Sequence, residues 1–294
     1  MRRGLSLIEL LVVMVLTFIL GAGIFALYRS IVGSAAEESS IMKNQAQLNF
    51  VADNLARLLS SAGFGIERNR LNYGSGNVID LQSDRLTILT RASTQKANAG
   101  CWGIIDETGA FRLQTAPTDP LPVSFTTGRN CPNNPGDYSV RISIEDKSPN
   151  CSRNCLAFLN TPTNTVTLRL SEQNLPPSCL QGTRRLILDM NGPSGDIVSC
   201  VGHLRFRYLR VQNGVVVAQD QPPPYNELVG VRLCMMVQLS ESAPVRGVNT
   251  EPTYTERCGG GSLTQLNPAL QNTWMNRKWS TVELDIFMPN LARP

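Results

Sequence analysis

Residues 1–28 read MRRGLSLIELLVVMVLTFILGAGIFALY. From Leu10 to Leu27 there is no charge, and Thr17 is the only polar side chain. At about 1.5 Å per residue this run approaches the ~30 Å hydrocarbon thickness of a bilayer. Arg2 and Arg3 precede it and Arg29 closes it. Basic residues at that end favour keeping the N-terminus in the cytoplasm. A secretory signal peptide would carry a shorter apolar region, a small-residue cleavage site and then an unrelated mature sequence. Gly21-Ala22-Gly23 imitates such a site, but the apolar run is long and continuous. The expectation is a membrane-spanning helix over residues 5–28.

Glu9 fits neither a signal peptide nor an ordinary anchor. A carboxylate costs about 3 kcal/mol at the centre of a bilayer, and less near the interface. Cleavage between Gly4 and Leu5 would make Leu5 the first residue and place a free amine one helical turn from Glu9. That amine, on the same or a neighbouring subunit, would neutralise the acid in apolar surroundings. Helices packed side by side would then satisfy both charges at one stagger only.

Gly4-Leu5-Ser6-Leu7-Ile8-Glu9-Leu10 resembles the prepilin cleavage and methylation motif of type IV pilins and type II secretion pseudopilins. The family pattern is a short basic leader ending in glycine, an apolar first mature residue, a glutamate at the fifth, and about twenty apolar residues. Leu5 departs from the commoner phenylalanine, and Ser6 stands where threonine is frequent. The resemblance implies cleavage after Gly4 by prepilin peptidase, N-methylation of Leu5 and a role for Glu9 in assembly.

Beyond Arg29 the pattern turns amphipathic. Ile31, Ala35, Ile41, Met42, Ala46, Leu48, Val51, Leu55, Leu58, Leu59 and Ala62 recur mostly at spacings of three and four, which is helical periodicity with one buried stripe. No proline occurs before Pro117, and Gly63 and Gly65 supply a stop. One helix over 5–62 would be near 85 Å long at the standard rise. Its stripe from Leu48 to Ala62 reads as a scaffold face for a head domain.

After Gly65 the chain changes to short alternating runs. Residues 84–90, 138–144, 165–170, 185–190, 203–211, 228–239 and 280–288 read as strands, separated by Gly, Pro, Asn and Ser clusters. Asn213-Gly214 is a hairpin signal. The fold expected is α+β: a long N-terminal α-helix, membrane-spanning then amphipathic, with a C-terminal antiparallel β-rich, disulfide-containing head. The domains are a leader over 1–4, the helix over 5–62 and the head over 63–294, with a Cys/Pro/Asn-rich insertion at about 95–165. The order of late elements (201–208, then 228–233, then 280–284 ending in Pro289-Asn290-Leu291) is similar to PilW-type minor pilins and J-type pseudopilins.

The eight cysteines are Cys101, Cys131, Cys151, Cys155, Cys179, Cys200, Cys234 and Cys258. An even count on the exported side fits disulfides in an oxidising compartment. Sequence proximity alone suggests Cys151 with Cys155 and Cys101 with Cys131; the remaining connectivity is open. A zinc site wants a second short-spaced pair or several histidines, and His203 is the chain's single histidine. No metal site and no cofactor are expected. Some relatives of the family that the motif resembles use calcium, yet no dense carboxylate cluster stands out.

Composition closes off other classes. Lys and Arg number 27 against 23 Asp and Glu, a net charge of +4, and 42% of residues are hydrophobic. Neither disorder nor nucleic-acid binding follows from those values. Arg205, Arg207 and Arg210 with Phe206 and Tyr208 could be drawn as a nucleic-acid strip. Alternation instead puts Arg205 and Arg207 on a solvated face over buried aromatics. His203 reads as structural, and no phosphate-binding loop appears, so no catalytic residue is named and no enzyme is expected. The resemblance implies a minor pilin that enters or primes a type IV pilus. The alternatives are a J-type pseudopilin of type II secretion and a membrane-anchored adhesin or binding protein that never polymerises. Partners would be prepilin peptidase, other minor and major pilins, the inner-membrane assembly machinery and the membrane. The location implied is the bacterial inner membrane before assembly, single-pass with a cytoplasmic N-terminus, and the pilus, periplasm or cell surface afterwards.

Overall fold

A computed structural model describes residues 7–67, 78–82, 84–91, 101–115, 134–159, 164–190, 194–224, 227–239 and 250–291. Helix α1 runs Leu7–Ser60. Its last four turns and the turn that follows show why the periodicity works: Leu48, Val51, Ala52, Leu55, Leu58, Leu59 and Ala62 are all buried, at steps that keep them on one face of a 3.6-residue helix. Met42, Asp53 and Arg57 point away into solvent. The chain then turns at Gly63 and Gly65, both at positive φ. A side chain at Gly65 would also collide with the Phe158 ring, 2.6 Å away.

The sheet beneath α1 is antiparallel. Its strands are β1 (Ile79–Leu81), β2 (Arg85–Thr90), β7 (Asn164–Ser171), β8 (Arg184–Asp189), β9 (Gly195–Gln212), β10 (Val215–Gln219), β11 (Leu228–Gln238) and β12 (Trp279–Phe287). They lie in the order β1-β2-β7-β8-β9-β11-β12, with β10 hairpinned onto β9. Asn213 and Gly214, both at positive φ, make that hairpin turn as their sequence requires. The alternating apolar residues of β2, β7, β8, β9 and β11 meet the buried stripe of α1 in the main core. Three polar ties reinforce the contact: Asn44 donates to the Leu239 carbonyl (2.6 Å), Thr90 to Ser61 (2.8 Å) and Asn290 to Ser60 (3.3 Å).

Strand β11 is apolar almost throughout because both of its faces are covered. Val231, Leu233, Met235 and Val237 face the main core under α1. Cys234 and Met236 face a second cluster with Tyr254, Cys258, Leu263 and Leu270. That cluster belongs to the segment 250–276, which carries the short α2 (Leu263–Leu266) and is fastened by Cys234–Cys258. A separation of 24 residues corresponds to about 3 kcal/mol of loop-closure stabilisation. Cys179–Cys200 closes 21 residues on the other side of β9. It pins Cys200, which sits at φ 58 beside a break in the β8–β9 register.

A second sheet, in the order β4-β3-β6-β5, was anticipated only in its strand over 138–144. It is formed by β3 (Cys101–Ile105), β4 (Phe111–Thr115), β5 (Val140–Ser143) and β6 (Cys155–Phe158). It has a small core of its own around Ile105, Tyr138 and Leu159. Edge-on contacts of Phe64 with Trp102 and Phe158 join it to the end of α1. The Lys147 ammonium donates to the Asn290 carbonyl and makes a further tie.

The expected fold class is corrected. The chain is chiefly antiparallel β in two sheets, with one long and one very short α-helix among the described residues. Among those residues no helix is long and apolar enough to cross a membrane. The membrane-spanning assignment of 5–28 is therefore withdrawn. The β-rich, disulfide-containing head stands.

Candidate assembly surface

Outside the head, the described side chains of α1 between Ile8 and Arg29 are exposed. Thirteen large hydrophobic residues between Ile8 and Tyr28 are at least half exposed, among them Phe18 at 80%, Leu20 at 66% and Phe25 at 65%. At 100° per residue, Met14, Val15, Leu16, Phe18, Ile19, Leu20, Ile24 and Tyr28 together point in every direction around the helix. A helix that is apolar on all sides belongs inside something. Covering half of that surface would contribute on the order of 10 kcal/mol, comparable to the ~4–15 kcal/mol that association costs.

One side of this rod has a relief. Met14, Thr17, Phe18, Gly21, Ala22 and Phe25 line an open hollow, and nothing lies within 4 Å of where a Gly21 side chain would stand. Small residues flanked by large ones let a second helix approach closely. This surface fits another helix better than it fits a flat sheet.

The residues singled out in the sequence fall as follows. Gly4 and Leu5 lie outside the described residues. Glu9 falls in α1, and its side chain lies outside the description. Cys131 does too, while Cys101 is disulfide-bonded. Cys151 pairs with Cys155, Cys179 with Cys200, and Cys234 with Cys258. Among the described residues no group of three His, Cys, Asp or Glu could hold a metal ion.

Arg205 and Arg207 share one carboxylate, Asp220, at 2.9 Å each. Arg207 also donates to the Arg257 carbonyl at 2.8 Å. Phe206 and Tyr208 are buried on the opposite face. Arg205 and Arg207 are thus committed to Asp220 and the carbonyls of residues 256–258, and Arg210 to Glu227 and Gln212. His203 is half-buried, with Nδ1 3.2 Å from the Tyr254 hydroxyl. Burial first, then the Arg205 and Arg184 charges, press its pKa down to about 4. Sequence reasoning missed Arg232, which is buried and bound to Asp285; its position inside an apolar strand was the available signal.

No family model matches the chain, and no curated protein does. Among solved structures it is similar to a type IV-like pilin. That protein is from Thermus thermophilus; the two are 13% identical, with a TM-score of 0.40, over 85% of this chain and 97% of the other. Agreement at that level carries no argument about function.

Proposed function

We propose that the chain is a minor pilin of a type IV pilus, of the PilW type. The observation that carries this reading is a coincidence in one helix. The Gly4–Leu5–Glu9 spacing heads a segment whose exposed surface is apolar on every side. In this reading prepilin peptidase at the inner membrane cuts the precursor after Gly4, and Leu5 is N-methylated. The assembly machinery then packs the outer half of α1 among the helices of other minor and major pilins. The disulfides form in the periplasm, and the head rides on the pilus. Two sheets and a stapled cover segment make a bulky head, which suits the filament tip or an initiation complex better than repeated stacking. No catalytic role is assigned.

Shearing pili from cells that express the wild-type chain tests the proposal. The chain is expected in the sheared fraction at low abundance, and gold-labelled antibody against the head should mark filament ends. A chain that stays wholly with the cell would instead be an anchored binding protein. If deletion left pili intact and stopped protein secretion, the chain would be reassigned to the type II pseudopilins.

A further inference from the structure

The main sheet has an opening. Strand β9 pairs on one side with β8 up to Val201 and with β10 from Tyr208 onward. Among the described residues no strand lies beside 202–207 on that side, although β11 continues along the other. A cavity of about 450 Å³ occupies the gap, within the ~300–1,000 Å³ typical of small-molecule sites. Leu170, Leu204 and Leu266 supply apolar wall, and Asp84, Arg184, His203, Arg205 and Asn267 supply polar groups.

Each polar group has a definite sense. Arg184 has ion pairs with Asp84 and Glu172, both at 3.6 Å and partly exposed. It makes no hydrogen bond among the described residues, so its planar fork of donors is unspent. Asn267 gives both amide protons away, to the carbonyls of Gly182 (2.9 Å) and Gly202 (2.7 Å). That fixes its Oδ1 as an acceptor. The Tyr254 hydroxyl donates to the His203 carbonyl at 3.3 Å, so its oxygen receives the Nδ1 proton. In that tautomer Nε2 is the acceptor of the ring, and the lowered pKa keeps the imidazole neutral at pH 7. Arg205 stands at the same cavity with its fork turned to Asp220.

One cationic fork, two neutral acceptors and three leucines form a consistent set. The fork suits a carboxylate, the acceptors suit hydroxyl donors, and the leucines suit a C–H face. We propose that this gap in the sheet is a binding site for a carboxylated monosaccharide. Arg184 holds the carboxylate, His203 and Asn267 take hydroxyl protons, and the ligand displaces the loose Asp84 and Glu172 pairs, which as exposed ion pairs are weakly held. The site lies wholly in the head and does not depend on the filament reading.

The single histidine makes the test direct, because its imidazole NMR signals need no assignment. Titration of the full chain with glucuronate should shift the His203 signals saturably, with a Kd of about 1 mM. Arg184→Gln should weaken that by roughly tenfold, and Arg184→Lys, which keeps the charge and loses the fork, by an intermediate factor. Arg57→Gln, an exposed arginine on α1, should titrate like wild type. The proposal is overturned if acetate at matched ionic strength gives the same response, if glucuronate gives no saturable shift, or if both Arg184 variants titrate like wild type.

Discussion

A chain carrying Glu9→Ala is expected to accumulate at wild-type level and to be missing from sheared filaments. In the proposed reading, cleavage after Gly4 would put the new amine of Leu5 four residues, one helical turn, before position 9. Among apolar helices that amine needs an acid, and an uncompensated buried charge costs about 3–5 kcal/mol. Each 1.4 kcal/mol is about tenfold in an equilibrium, so incorporation should fall by roughly a hundredfold or more. Glu9→Gln preserves the shape and removes the charge, so it should fail equally and thereby separate charge from packing. Filaments that take up Glu9→Ala as readily as wild type would contradict the pairing.

The second large effect is in the head. Arg232 is 4% exposed. Its Nη2 donates to Asp285 at 2.8 Å, its Nε to the same carboxylate, and its Nη1 to the Arg257 carbonyl at 2.8 Å. Asp285 also accepts from Arg257 at 2.9 Å. This network clamps the 250–262 segment onto β11 and β12. Arg232→Ala would leave the carboxylate with one solvent-facing partner and the Arg257 carbonyl short of a donor. The expected loss is about 3–5 kcal/mol, a large share of the ~5–15 kcal/mol that holds most domains together. The double variant Arg232→Met/Asp285→Leu should recover much of it, because a paired apolar replacement leaves no charge stranded.

The same pair sets a pH dependence. Hydrogen bonds from Arg232, then the charges of Arg232 and Arg257, hold the Asp285 carboxyl below the ordinary carboxylate range. A folded-state value below the unfolded one (about 3.9) contributes stability that is fully present above the unfolded value. That contribution is lost as pH falls through the folded value. Wild-type denaturation midpoints should therefore drop below about pH 4 more steeply than those of Arg232→Ala. Parallel acid profiles would remove the clamp from the explanation.

Much of the head was legible because period-2 runs tied to turn residues leave few choices. β2, β7, β8, β11 and β12 fall within a residue or two of where alternation put them. The stripe Leu48–Ala62 lies against the sheet because only one face of that helix is apolar. The burial of Phe206 and Tyr208 opposite Arg205 and Arg207 followed from the same alternation. The rest of the second sheet was hidden for a physical reason. β3 and β6 are four or five residues long, too short for a periodic signal, and their core is shared with loop residues such as Tyr138. The cover over β11 was hidden likewise, since short helical turns held by a distant cysteine have no local pattern. The continuous apolar run of β11 implied a cover without saying which segment supplied it. The gap at residues 202–207 could not be read at all, because it arises from where β8 ends and β10 begins.

The central claim is that processing at Gly4 creates the amine that Glu9 answers. Mass spectrometry of the N-terminal peptide of the mature protein, taken from cells with an active prepilin peptidase, tests it most directly. A peptide that starts at N-methylated Leu5 is the expected result. A mature chain that retains Met1 to Gly4, or one that starts near Gly23, would contradict it.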